Sequence, residues 1–463
     1  MEIKKYNYIV WIIGIVLSLV ASFIGMVCSK TTEQLFMCLL PLVYILSVTL
    51  SGAFLKFVDS SSPGLMLING LYFVKCVVYP FVSVISGTTY NPGNNDTIYA
   101  IVLELGEIVV IYMVYFLYSL YSRYNDRKSG VCVKFSSMQN HLNNGRFITF
   151  CFLMAVCVII IVSPSSLSGY NFFTVESLEI IYEGISEADT SGVVALSIKV
   201  ARYVLTAYLI GYCYRKYEQT KMMRYIVLAV VIVGATMMIV RGVSRSDFAI
   251  PGACGYFLLI RIFPKKKKMI TVSILGCLVI VFVTFSLMRY SENVSLSDFS
   301  NTLQSYFCCE KNMANAIAAR RIYSDEINFD TLLSDLFGNW AVVGKMFRDN
   351  INISEYFNFT YYGHAYSVDQ IVPTIGQAYM QFGIFGTYSY TIIMVIACLV
   401  LDKKYRQSDK IDFSYLYLYG TVKCAVTLMG NLKIFSATVF NVLFPMLVLS
   451  WLNSKMAIKE KRI

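Results

Sequence analysis

Two arginines stand four residues apart in the short connection Val240-Arg241-Gly242-Val243-Ser244-Arg245-Ser246-Asp247. On a helical turn that spacing puts both guanidinium groups on one face. Two such forks suit phosphate oxygens, whereas the plainer use of the pair is to snorkel to lipid headgroups. A second pair closes Ala318-Ala319-Arg320-Arg321, where a solvated charged face is the plain alternative. Further on, Tyr361-Tyr362-Gly363-His364-Ala365-Tyr366-Ser367-Val368-Asp369-Gln370 holds one of the two histidines of the chain. His364 offers a base, an acid or a hydrogen-bond donor; His141 lies in a polar, Asn-rich stretch and reads as solvated.

What must position these residues is a membrane body. Of 463 residues, 57% are apolar and only 14% charged, against about 25% charged in soluble domains. Apolar runs long enough for a bilayer recur from residue 8 to residue 452, which excludes a globular soluble enzyme and a β-barrel with its short alternating strands. Twelve runs read as transmembrane helices, the first of them, Tyr8 to Cys28, as a retained helix rather than a signal peptide. With both termini cytoplasmic, the inside connections hold 24 Lys and Arg against four in the short outside ones, and that bias sets the orientation. The net charge of +11 is thus used for topology and not for nucleic acid.

Two outside segments depart from short connections. Residues 163–192 carry no Lys or Arg, and Val175, Leu178, Ile181, Tyr182 and Ile185 alternate with acidic residues as on an interfacial helix near 172–188. Residues 289–370 form one large external loop, with helical patterning at Ala314 to Arg321 and at Leu332 to Phe347. The chain accordingly divides into nine spans over 1–288, the loop at 289–370, and a C-terminal membrane region at 371–463. That last region opens with a broken or re-entrant stretch marked by Pro373, Gly376, Gly383 and Gly386, then continues through three spans. Lys75 and Glu107 lie at similar depth in adjacent runs and read as a buried, structural pair. Lys199 and Arg202 extend the outer basic cavity. The thirteen cysteines lie mostly in apolar runs, and neither a disulfide framework nor a metal site is expected.

The spans, the late external loop, the external arginines and the run His364…Ser367…Pro373-Thr374…Gly376…Tyr379…Phe382-Gly383…Gly386 together resemble the bacterial O-antigen and capsular repeat-unit polymerases and their relatives, the O-antigen ligases. The resemblance covers the whole chain in layout and, in motif, Arg241 to Asp247 and His364 to Gly386. It implies an enzyme of the bacterial plasma membrane that joins undecaprenyl diphosphate-linked oligosaccharides at the outer face, with no cofactor, metal or nucleotide sugar. Membrane lipids and a chain-length regulator protein are its implied partners. On this reading Arg241, Arg245, Arg320, Arg321, Lys199 and Arg202 hold the diphosphate, and His364, or else Asp369, takes the proton from the acceptor hydroxyl. Tyr361, Tyr362, Tyr366 and Tyr379 contact sugar rings. The alternatives are a ligase, a lipid-linked oligosaccharide flippase or other transporter, for which internal repeats and short loops are expected, and a receptor or scaffold.

Overall fold

The computed structural model describes residues 2–56, 62–88, 95–128, 147–167, 170–171, 192–241, 245–289, 295–341, 343–347, 351–363 and 370–460. Side chains are described over the same residues apart from 2–5, 126–128, 165–166, 170–171, 192, 240–241, 245–246, 279–289 and 457–460. The helices in chain order are α1 (Glu2–Cys28), α2 (Thr32–Met37), α3 (Leu39–Ser51), α4 (Pro63–Phe73), α5 (Tyr79–Ser86), α6 (Asn95–Lys128), α7 (Phe147–Val162), α8 (Gly192–Thr220), α9 (Arg224–Met238), α10 (Arg245–Ile262) and α11 (Lys267–Arg289). Then come α12 (Leu296–Phe307), α13 (Glu310–Tyr323), α14 (Phe329–Phe337), α15 (Ile353–Tyr362), α16 (Thr374–Phe382), α17 (Ser389–Gln407), α18 (Ile411–Thr427), α19 (Leu432–Thr438) and α20 (Phe444–Glu460). Among the described residues the only strands are β1 (Tyr170–Asn171) and β2 (Val240–Arg241), a two-residue antiparallel ladder pairing Tyr170 with Arg241.

Among the described residues, seven helical stretches are long and apolar enough to cross a membrane: Tyr6–Cys28, Thr32–Ser51, Pro63–Ser86, Asn95–Asn125, Val193–Thr220, Ile384–Gln407 and Leu432–Met456. The protein is therefore a helical, multi-pass membrane protein. Each of the other apolar runs is also helical, but α7 and α9 are short, with 16 and 15 residues, and α18 has 17. The adjacent α10 and α11 meet at 113° across a break of a few residues, where Pro264 opens a tight turn.

Two of the long stretches are interrupted by a π-helical turn, at Val74–Val78 and at Val439–Leu443. Each turn ends two residues before a proline, Pro80 and Pro445. A proline ring inside a helix collides with the carbonyl four residues earlier, here that of Cys76 or Asn441. Widening the turn that contains this carbonyl relieves the collision without breaking the span.

The chain forms two compact units. The first comprises Met1–Val133, Val294–Val400 and Lys423–Ala437; the second comprises Lys134–Asn293, Leu401–Val422 and Thr438–Ile463. In the first, Tyr44 and Tyr112 are buried between α3, α4 and α6, and both donate to Asn69, to its backbone and side-chain oxygens, at 2.9 Å each. The late segment adds helices with polar starts: Ser295 and Asp298 cap α12 reciprocally, Asn328 and Thr331 cap α14, and Asn352 accepts from the Glu355 N–H in α15. The expected helix from Leu332 to Phe347 is corrected. It runs Phe329–Phe337 and stops at Gly338, followed by a tight turn at Gly344–Met346. Gly338 and Gly344 approach so closely that a Cβ on Gly344 would lie 2.5 Å from the Gly338 carbonyl oxygen. The expected interfacial helix near 172–188 lies outside the described residues.

Candidate functional site

In the first unit, α13, α15 and α16 share a core of Ala316, Ala319, Ile353, Phe357, Val372 and Met380. The other flank of α13 packs on α6 through Met313, Ala314 and Ile317 against Ala100 and Leu103. Small alanines let α13 sit close to both neighbours, and this fixes the arginines in its last turn. Arg320 turns back to α16: its Nη1 donates to the carbonyls of Tyr379, at 3.0 Å, and of Met380. Those carbonyls belong to the final turn of α16, where helical donors run out; that of Tyr379 also accepts the Gly383 N–H at 2.9 Å. Beyond them Gly383 takes φ +69°, and a Cβ there would come within 3.1 Å of the Arg320 guanidinium. The end of α16 is thus built from a glycine that frees the chain and an arginine that holds its last carbonyls.

Arg321 points elsewhere, closing on Asp96 at the start of α6 while its side chain remains 66% exposed. Tyr379 lies between the two arginine systems, 5.8 Å from the Arg320 guanidinium and edge-on to Tyr99 at 6.1 Å. Tyr361 and Tyr362 end α15, in ring contact with one another at 4.9 Å, and Lys311 sits 4.8 Å from the Tyr361 ring centre. His364, Tyr366 and Asp369 lie outside the described residues. The residues on either side of them are firmly set. Gly363 ends α15 in the left-handed region, at φ +72°, and Asn358 grips Gln370, accepting its N–H and donating to its carbonyl, both at 3.1 Å.

In the second unit, Arg202 of α8 is buried, and its Nε and Nη2 donate to the Thr236 carbonyl at 3.1 and 2.6 Å. Nη2 also donates to the Asp247 carbonyl at 2.7 Å. Both carbonyls lack a helical donor for a stated reason. Thr236 stands in the last turn of α9, and Pro251, four residues beyond Asp247, has no N–H to return. Arg202 therefore clasps the two ends of the connection that carries Arg241 and Arg245, so its part is to position that turn. Lys199, one turn earlier, pairs with the Asp247 carboxylate at 3.6 Å. The side chains of Arg241 and Arg245 are outside the described set; their place, with β2 laddered to β1, is fixed by backbone.

Several charged residues enter the structure that the sequence reading did not single out. Arg261 is buried and holds the end of α17, donating to the carbonyls of Tyr405, Arg406 and Ser408 and to the Ser414 hydroxyl. Asp335 is fully buried in α14 and accepts from Gln377 at 2.8 Å and Gln381 at 2.9 Å. Burial pushes its carboxyl up to about 7, against the lowering effect of the Gln377 hydrogen bond. Gln377 also receives the Leu432 N–H at 2.7 Å, so Asp335 ties α14 to α16 and, through it, to α19. The expected Lys75–Glu107 pair forms at 3.3 Å, and Glu104, at 3.2 Å from the same ammonium, makes it a triad. The candidate residues thus gather in two places, Arg320, Arg321, Tyr361, Tyr362 and Tyr379 in the first unit and Lys199, Arg202 and the Arg241–Arg245 turn in the second.

No protein-family model, no curated protein and no solved structure matches the chain at a significant level.

Proposed function

We propose that the protein is a glycosyltransferase of the bacterial plasma membrane that polymerises undecaprenyl diphosphate-linked oligosaccharide units. On this reading both termini are cytoplasmic, twelve helices span the bilayer, and residues 289–370 lie outside. The observation that carries it is the state of Arg321: an exposed guanidinium already holding the two oxygens of a carboxylate fork to fork. A carboxylate offers two coplanar oxygens, as a phosphate edge does, so the same donors can receive the diphosphate of a lipid carrier.

In the reaction, the acceptor sugar hydroxyl attacks the anomeric carbon, its proton passing to His364 or Asp369, and the carbon–oxygen bond to the lipid diphosphate breaks. The leaving group carries the growing negative charge, and Arg321 stabilises it where it develops. Tyr361, Tyr362, Tyr366 and Tyr379 line the sugars. A ligase would use the same carrier and base with another acceptor. The buried Lys75–Glu104–Glu107 triad favours a second reading, a transporter, because ionisable groups inside a membrane body mark substrate or ion pathways.

The test is conversion by the purified protein in nanodiscs of lipid diphosphate-linked units into longer lipid-linked glycans, with no nucleotide sugar and with a chelator present. The expected result is a ladder of products, abolished by His364→Ala. Units that stay single, yet cross the bilayer of sealed vesicles, would replace this reading with the transporter.

A further inference from the structure

The buried charges at the centre of the first unit do not balance. Lys75, in the π-turn between α4 and α5, is shared by Glu104 and Glu107 of α6, and Glu107 takes a further bond from the Thr391 hydroxyl of α17 at 3.1 Å. Glu310, the first residue of α13, comes down beside them and accepts from the Tyr79 hydroxyl. It is near enough for its charge to act on Glu104 and for that of Lys75 to act on it. Three carboxyls thus face one ammonium, and none of the four residues is more than 3% exposed. Buried charge is tolerated only when it is paired and hydrogen-bonded.

The hydrogen bonds fail at the same place. Apart from the Lys75 ammonium 3.2 Å from Oε1 of Glu104, neither the Glu104 carboxyl nor Oε2 of Glu310 has a hydrogen-bond partner. An ionised carboxylate can only accept, so two of them add no donor to this buried cluster, whereas protonating one supplies a donor. The remaining titratable groups around the pair are Tyr72, Cys76 and Tyr79 of the third span, Cys308 and Cys309 just before α13, and Lys311, which is turned to the Tyr361 ring. Lys311 is the one further cation among them, and its charge acts on Glu310 from a side chain that is only partly buried. Among the described residues no three His, Cys, Asp or Glu side chains converge closely enough to hold a metal ion.

We propose that Glu104 and Glu310 form a proton-binding site that holds one proton on one of the two carboxyls at neutral pH. Binding converts one carboxylate to the acid and lowers the excess of buried carboxylates over the one buried ammonium from two to one, with no other bond made or broken. The ligand is the proton itself, exchanged with bulk water. Burial, which pushes Glu310 up to about 7, places its release within the ordinary working range. The site joins α13 to the membrane helices at the end opposite Arg320 and Arg321, so the proton fastens the late segment to the body of the unit. The inference is independent of the reaction proposed above, since it concerns only which carboxyls are protonated.

Infrared titration of the full-length protein in nanodiscs tests it. The Asp335→Asn variant is the background, because Asp335 is a second buried carboxyl with its own raised value. In that background a carboxylic-acid carbonyl band should persist at neutral pH in sodium-free buffer and vanish as pH rises through about 7, and Glu310→Gln or Glu104→Gln should abolish it. Absence of the band in the background would overturn the proposal without recourse to the glutamine variants. So would a band that either variant leaves intact, or one that sodium at fixed pH removes as well as alkali does.

Discussion

Arg321 and Asp96, 225 residues apart, meet with two parallel bonds, Nη1 to Oδ1 at 3.0 Å and Nη2 to Oδ2 at 2.8 Å. The arginine is mostly exposed and the aspartate mostly buried, so the pair joins a solvent-facing donor to an acceptor set in the wall. A bridge with one exposed partner contributes little to stability, about 0.5–1 kcal/mol, and a double-mutant cycle of Arg321→Gln with Asp96→Asn should return a coupling of that size. On activity the two substitutions should separate. If Arg321 trades Asp96 for a diphosphate, Arg321→Gln lowers polymer formation about tenfold, whereas Asp96→Asn, which releases the guanidinium, leaves it unchanged or raises it. Equal loss in both would make the pair purely structural.

The break after α16 gives a second prediction. Gly383, at φ +69° and ψ −161°, occupies a region reserved for glycine, where another residue costs about 1–3 kcal/mol. Gly383→Ala should therefore lower the melting temperature. Arg320→Met should do so as well, by about 1.5–3 kcal/mol for the loss of charged hydrogen bonds. The two effects should not add, because both act on the same carbonyl end of α16, and amide exchange in residues 374–382 should rise in each variant.

Much of this was legible in the sequence, and the parts that were not share a cause. Every apolar run became a helix, and Lys75 and Glu107 could be paired because both lie at similar depth in neighbouring runs. Glu310 could not be added to them, since nothing local in Glu310-Lys311-Asn312 marks a residue that folds back beside a partner more than 200 positions earlier. The arginines were visible as charge, but their use depends on which carbonyls lack donors. Pro251 is the one local signal for Arg202, because it leaves the Asp247 carbonyl free. Arg261, at the end of an apolar run, reads as an ordinary flanking cation until the end of α17 is seen beside it. The Asp335 network has no periodicity at all, being assembled from α14, α16 and α19.

The Lys75 triad separates removing one charge from removing the set. Lys75→Met leaves Glu104 and Glu107 buried without a cation, and breaking a buried pair in this way costs about 3–5 kcal/mol. The triple variant Lys75→Met, Glu104→Gln, Glu107→Gln should recover most of that loss, because the two carboxylates that Lys75 pairs are removed with it. Yield of monodisperse protein and its melting temperature in detergent report both. A triple variant no better than Lys75→Met would mean that the triad supports the packing of α4, α5 and α6 through contacts that glutamine and methionine do not replace.

Asp335 sets the sign of the pH dependence. Its carboxyl rises from 3.8 in the unfolded chain to about 7 when folded, so between those values the folded protein binds the proton that the unfolded chain has released. Its contribution is fully present below 3.8, declines as pH rises, and is gone above about 7, with a slope of up to about 1.4 kcal/mol per pH unit inside the window. Asp335→Asn keeps an acceptor for Gln377 and Gln381 but has no proton to lose. Its melting temperature should accordingly fall less than that of the unaltered protein between acid and neutral pH, and exceed it on the alkaline side. Glu310 works in the same direction, from 4.5 to about 7, so adding Glu310→Gln should flatten the profile further. A profile for Asp335→Asn parallel to that of the unaltered protein would show that Asp335 stays ionised when folded, with both glutamine amides serving to stabilise its charge.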